Sequence, residues 1–118
     1  MPTIVQLAAA QLDAYNRADL DAFVECYHPE VVVFDGQTQL LAGREAFRDR
    51  YQSLFKSAGF GADVHQRMSL GRHCIDAECW WRLDGESGVR RTGHVLVRYR
   101  ERDGFIDLVQ FLSEQDET

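Results

Sequence analysis

The sequence predicts an α+β domain in which three helices cover one face of an antiparallel sheet. Three observations carry that expectation. Apolar residues recur at helical spacing through much of the first half, the period changes to two after Gly61, and glycine-bearing turns cut the second half into long runs. The chain is 118 residues long, which suits a single domain over 1–118.

Taken in order, Pro2 and Thr3 start a first helix whose Ile4, Leu7, Ala8, Gln11, Leu12 and Tyr15 share a face. Asn16-Arg17-Ala18 breaks it. Asp19 caps a second helix carrying Leu20, Phe23, Val24 and Tyr27, and Pro29 is expected to end it by pushing His28 out of the helical region. The β-branched run Val31-Val32-Val33-Phe34, then Asp35-Gly36 and Leu40-Leu41, predicts a strand and a short return strand. Gly43 opens a third helix with Phe47, Tyr51, Leu54, Phe55 and Ala58 on one face and Gly59 just beyond its end. Strands are expected around 64–70, 75–83, 89–100 and 105–112, the last two joined by an Asp103-Gly104 hairpin. Residues 113–118 read as an acidic, frayed tail.

Composition narrows the function. Hydrophobic residues make up 45% and charged residues 27%, a globular balance. Thirteen basic against nineteen acidic residues leave a net charge of −6, which disfavours nucleic acid and anionic membrane as partners. Arg90-Arg91 and Arg98, Arg100 and Arg102, interleaved with Glu101 and Asp103, read as solvated strand ends. No stretch approaches membrane-spanning length, and Cys26, Cys74 and Cys79 form no C-x-x-C pair. A cytoplasmic chain with inert thiols is expected. His28, His65, His73 and His94 show no zinc-type spacing, and no phosphate loop or nucleophile elbow is present, so neither metal nor cofactor is expected. The last strand is apolar on both sides, with Ile106, Leu108 and Leu112 against Val109 and Phe111. One side can meet the helices; a homodimer through the outer sheet face would cover the other.

The order of these elements, with Asp19-Leu20-Asp21-Ala22-Phe23, Tyr27-His28-Pro29-Glu30-Val31-Val32-Val33, Gly43-Arg44-Glu45 and Arg102-Asp103-Gly104-Phe105-Ile106, resembles the SnoaL-like proteins of the NTF2-like superfamily. The resemblance spans nearly the whole chain. It implies a cone: a curved sheet wrapped around a cavity roofed by three helices, commonly dimeric through the outer sheet face. It does not fix an activity, because one fold hosts isomerases, cyclases, hydrolases, dehydratases and binding proteins. In the ketosteroid isomerase branch the base is an aspartate ending the first strand, a position Asp35 matches, and a network tyrosine matches Tyr27. The oxyanion tyrosine and protonated aspartic acid of that branch fall on Gln11 and near Leu96, so its oxyanion hole is missing here.

The candidate chemistry follows. Asp35, at a cavity mouth with Val33, Phe47 and Tyr51, is either a desolvated general base or the first residue of a hairpin turn. If Leu96 faces the cavity, then Thr92, His94 and Arg98 do too, and His94 is a donor to a substrate carbonyl or a partner of Asp35. Asp76, Glu78, Trp80 and Arg82 share one side of their strand, opposite Ile75, Ala77, Cys79, Trp81 and Leu83. Simple alternation turns the charged side outward, to solvent or a dimer rim. Trp80 is odd amid charges, however, and the carboxylates of Asp76 and Glu78, two residues apart, could alternatively polarise a ligand or raise each other's pKa. Tyr15 is the tyrosine of the first helix able to replace the missing oxyanion donor. Tyr15, Val33, Tyr51, Trp80, Val109 and Phe111 are the expected ligand contacts, with Tyr51 in the wall and Phe55 in the core. The ligand is expected to be a small hydrophobic molecule. It is either the substrate of a cofactor-free isomerase, lyase or cyclase, or the cargo of a non-catalytic binding module.

Overall fold

Every helix entry in the computed structural model, which describes residues 1–57 and 59–113, is set by a residue legible in the sequence. The expectations for Ala58 and for the tail beyond Ser113 lie outside the described residues. Helix α1 (Ile4–Asn16) opens with a reciprocal capping box: Gln6 N–H donates to Thr3 Oγ1 at 3.2 Å and Thr3 N–H to Gln6 Oε1 at 2.9 Å. Helix α2 (Leu20–Glu25) is capped by Asp19, which accepts from Ala22 N–H at 3.1 Å. Helix α3 (Arg44–Phe55) follows Gly43, whose φ of 96° is open to glycine but strained for other residues.

One boundary differs from expectation. The second helix stops at Glu25, and strand β1 runs Tyr27–Asp35 through Pro29. Tyr27 pairs with Ile106 and pairing resumes only at Val32, so Pro29 falls where its missing N–H costs no ladder bond. The remaining strands are β2 (Thr38–Ala42), β3 (Phe60–Leu70), β4 (His73–Leu83), β5 (Arg90–Arg102) and β6 (Phe105–Leu112). Their order is β2-β1-β6-β5-β4-β3, an unclosed sheet. Every pair is antiparallel except β1 with β6, a second departure from a purely antiparallel reading.

The β5–β6 turn has the two-residue form its sequence predicts, with Asp103 at φ 54° and Gly104 at φ 83°. Just beyond it, the register slips by one between Arg100 and Glu101, so Val97 rather than Leu96 lies opposite Phe111. This bulge inverts the expected orientation of β5. Val95, Val97 and Tyr99 share the face of Phe111, while His94, Leu96 and Arg98 take the other. Because β4 pairs in register with β5, its facing is set by the same slip: Asp76 sits opposite Val97 and Glu78 opposite Val95.

The core lies between the helices and this inner face. Phe23 is its hub, with ring centroids 5.1–5.5 Å from Tyr27, Phe47, Tyr51 and Phe55. Phe55 also packs on Tyr15 and Phe60. Such contacts close the narrow end of the cone to interior density.

Candidate active site

Above that aromatic floor a cavity of about 710 Å³ remains. Its wall combines Tyr15 from α1, Tyr51 and Leu54 from α3, Glu78, Trp80 and Arg82 from β4, and Val109 and Phe111 from β6. Asp35, Leu40 and Arg50, all exposed, form part of the rim. The size suits a drug-sized or smaller organic molecule.

The charged side of β4 therefore faces inward, against simple alternation. Its two carboxylates are handled differently. Asp76 is fully buried and gripped by the Arg67 guanidinium through Nε at 2.6 Å and Nη2 at 2.9 Å, with the Cys74 thiol donating at 3.4 Å. That pair and the buried thiol, pushed up to about 11 chiefly by desolvation, are structural. Glu78 has no salt bridge among the described residues. Desolvation first, and the Asp76 charge second, raise its carboxyl to about 7, while Arg82 pulls the other way.

Around Glu78 stand groups that hold their protons. Burial raises the Tyr15 phenol, opposed by the Arg82 charge, and takes Tyr51 to about 12. Both are hydrogen-bond donors at neutral pH. At the cavity floor Tyr27 Oη donates to Gln11 Oε1 at 3.0 Å, and Gln11 Nε2 lies 3.3 Å from Tyr99 Oη and 3.0 Å from the Ala8 carbonyl. Gln11 is thus committed to bridging two tyrosines.

Trp80 is placed by an absent side chain. It sits opposite Gly93, and a Cβ there would collide with the indole ring, so the ring lies flat on the neighbouring strand. The Arg82 guanidinium covers it, 5.1 Å from the ring centroid. Its neighbour Trp81 does the same on the other face, over Gly61 and under Arg90 at 4.7 Å.

Of the residues anticipated from sequence, Tyr15, Tyr51, Trp80, Val109, Phe111 and Asp35 border the cavity. Val33 does not. It is fully buried beneath the wall, paired with Val109. His94 borders the rim, but its ring nitrogens lie with Cys79 and His65, cross-strand on the outer face. The bulge therefore separates His94 from Asp35, which shares the inner face with Phe111. Glu78, Arg82 and the Gln11 network are what sequence reading underweighted. The visible signal was glycine at position 93, which the tryptophan ring requires.

The family model of the SnoaL-like domain matches residues 8–109. The chain belongs to the SnoaL-like family. No curated protein matches it in sequence. Among solved structures, an uncharacterized cystatin-fold protein from Novosphingobium aromaticivorans superposes with TM-score 0.85 at 18% identity, covering 96% of this chain and 100% of that one. An M. tuberculosis LEH-like epoxide hydrolase gives TM-score 0.80 at 17% identity, covering 92% and 76%. TerC, crystallised with polyporic acid, gives 0.80 at 12% identity, covering 94% and 91%. At such identities the likeness is one of fold. No helix of the described residues is long and apolar enough to cross a membrane.

Proposed function

We propose that this SnoaL-like protein binds a small, largely apolar carbonyl compound in its cavity and moves a proton on it, as a cofactor-free isomerase, lyase or cyclase. The carrying observation is Glu78, a partly buried carboxylate without a salt bridge among the described residues, in a cavity it shares with the Tyr15 phenol and the Arg82 guanidinium. In this reading Glu78 takes the proton from the carbon next to the carbonyl, and Tyr15 and Arg82 stabilise the enolate oxygen. A carboxyl titrating at about 7 is well matched to that task at neutral pH, because it is ionised in part and returns the proton readily. Asp35, at the exposed rim, is the competing base within the same reading.

Isomerisation, elimination and enolate cyclisation share one step, carbon deprotonation, which makes the test independent of substrate identity. A panel of small apolar ketones and 1,3-diketones is incubated with the protein in D2O and followed by proton NMR. Deuterium incorporation that is lost in Glu78→Gln and kept in Asp35→Asn supports the assignment; the reverse moves the base to Asp35. Ligand-dependent quenching of Trp80 without any exchange makes the protein a binding module.

We further infer a cytoplasmic homodimer. Ala77, Leu96 and Leu112 lie side by side on the outer face, and Leu96 and Leu112 are 45% and 38% exposed. Sedimentation equilibrium showing only monomer at micromolar concentration would overturn the dimer.

A further inference from the structure

On the sheet face away from the cavity, three strands bring together side chains that are far apart in sequence. His65 on β3, Cys79 on β4 and His94 on β5 offer ligand atoms that all lie within 4.8 Å of one another. Cys79 and His94 are direct cross-strand partners. The register shift between Val64 and Gln66 leaves His65 as the extra residue of a bulge, which re-aims its ring toward that pair. The two imidazole centroids are 6.4 Å apart. In the single chain both histidines are exposed and Cys79 is half-buried, so solvent reaches the group. The outer-face dimer inferred above leaves it open when centred on Leu96 and Leu112, away from β3.

From this geometry we propose that His65, Cys79 and His94 form a binding site for a Zn²⁺-class divalent cation, with the fourth position open to water. One thiolate and two imidazoles are the borderline-soft set that such ions prefer, whereas Mg²⁺ and Ca²⁺ take oxygen ligands. Tetrahedral coordination needs ligand atoms roughly 3.5 Å apart, given metal–nitrogen and metal–sulfur bonds of about 2.0 and 2.3 Å. Both rings are exposed, and their rotation is the movement by which the group would close on an ion. On ligation the Cys79 thiol gives its proton to solvent, so affinity rises with pH. Cys79 and Glu78 are adjacent on β4 and point to opposite faces, so the thiol lies away from the cavity, whose rim His94 alone of the three also borders. Sequence spacing hides the site because each ligand comes from a different strand.

The test uses the full chain and Co²⁺ as a spectroscopic probe. Wild type is expected to show a thiolate-to-cobalt charge-transfer band in the near ultraviolet with tetrahedral visible bands, removed by one equivalent of Zn²⁺ and untouched by Mg²⁺. Cys79→Ser should abolish the charge-transfer band. His65→Ala and His94→Ala, at exposed positions that leave the far-ultraviolet circular dichroism unchanged, should each weaken Co²⁺ binding by about tenfold or more. A wild type without the band overturns the proposal. So does a band that survives Cys79→Ser, which would belong to Cys26 or Cys74, or an affinity unchanged in both histidine variants.

Discussion

Replacing Glu78 by glutamine should make the protein more stable, and only above a defined pH. Burial raises this carboxyl from 4.5 to about 7 in the folded chain. Between those values the folded protein holds a proton that the unfolded chain has released, so stability falls as pH rises through the window. Below about pH 4.5 both states are protonated and the destabilisation is absent; above about 7 both are ionised and it is present in full. The shift corresponds to about 3 kcal/mol, at roughly 1.4 kcal/mol for each pKa unit. Glutamine has the shape of the protonated acid and no charge, so Glu78→Gln should match wild type near pH 4 and exceed it by up to about 3 kcal/mol near pH 8.5. Urea unfolding of both proteins across that range, followed by tryptophan fluorescence, measures the gap. A gap that is constant with pH would refute the placement of Glu78 as a desolvated, unpaired carboxyl, and with it the proposed base.

Other perturbations separate wall from core. Arg67→Met strands the Asp76 carboxylate without its bidentate partner and should cost about 3–5 kcal/mol in urea unfolding, one of the larger losses available to a single change. Phe55→Ala should cost about 3 kcal/mol, the low end for a half-buried phenylalanine, and leave binding of an apolar fluorescent probe intact. Tyr51→Ala should cost less and weaken the probe; equal costs with unchanged binding would reject the wall assignment. Gly93→Ala drives a methyl into the Trp80 indole and should cost about 1–3 kcal/mol while shifting tryptophan emission.

The fold was legible because its punctuation is local. Thr3, Asp19, Gly43 and Asp103-Gly104 each act within a few residues, and each stands at the boundary it marks. The site was legible only on the strands and helices whose facing follows from such local marks. Asp35 and Phe111 took their expected face; His94 did not, because one extra residue near Asp107 turns the whole of β5 over. A bulge is a tertiary decision. No turn residue or period change announces it, and it carries β4 with it, moving Glu78 from the predicted exterior to the cavity.

That inversion has a consequence for how such a chain changes over time. Positions 78 and 82 form a short stripe that touches ligand space outside the packed core, while Asp76 beneath them is fixed by Arg67. Substitutions along the stripe can therefore alter what the cavity accepts without first disturbing the architecture. Position 78 is where selection for heat resistance alone would act first, because a partly buried carboxylate without a salt bridge opposes folding. A lineage kept only for robustness would lose its chemistry there, and a lineage that retains the charge reveals a use for it.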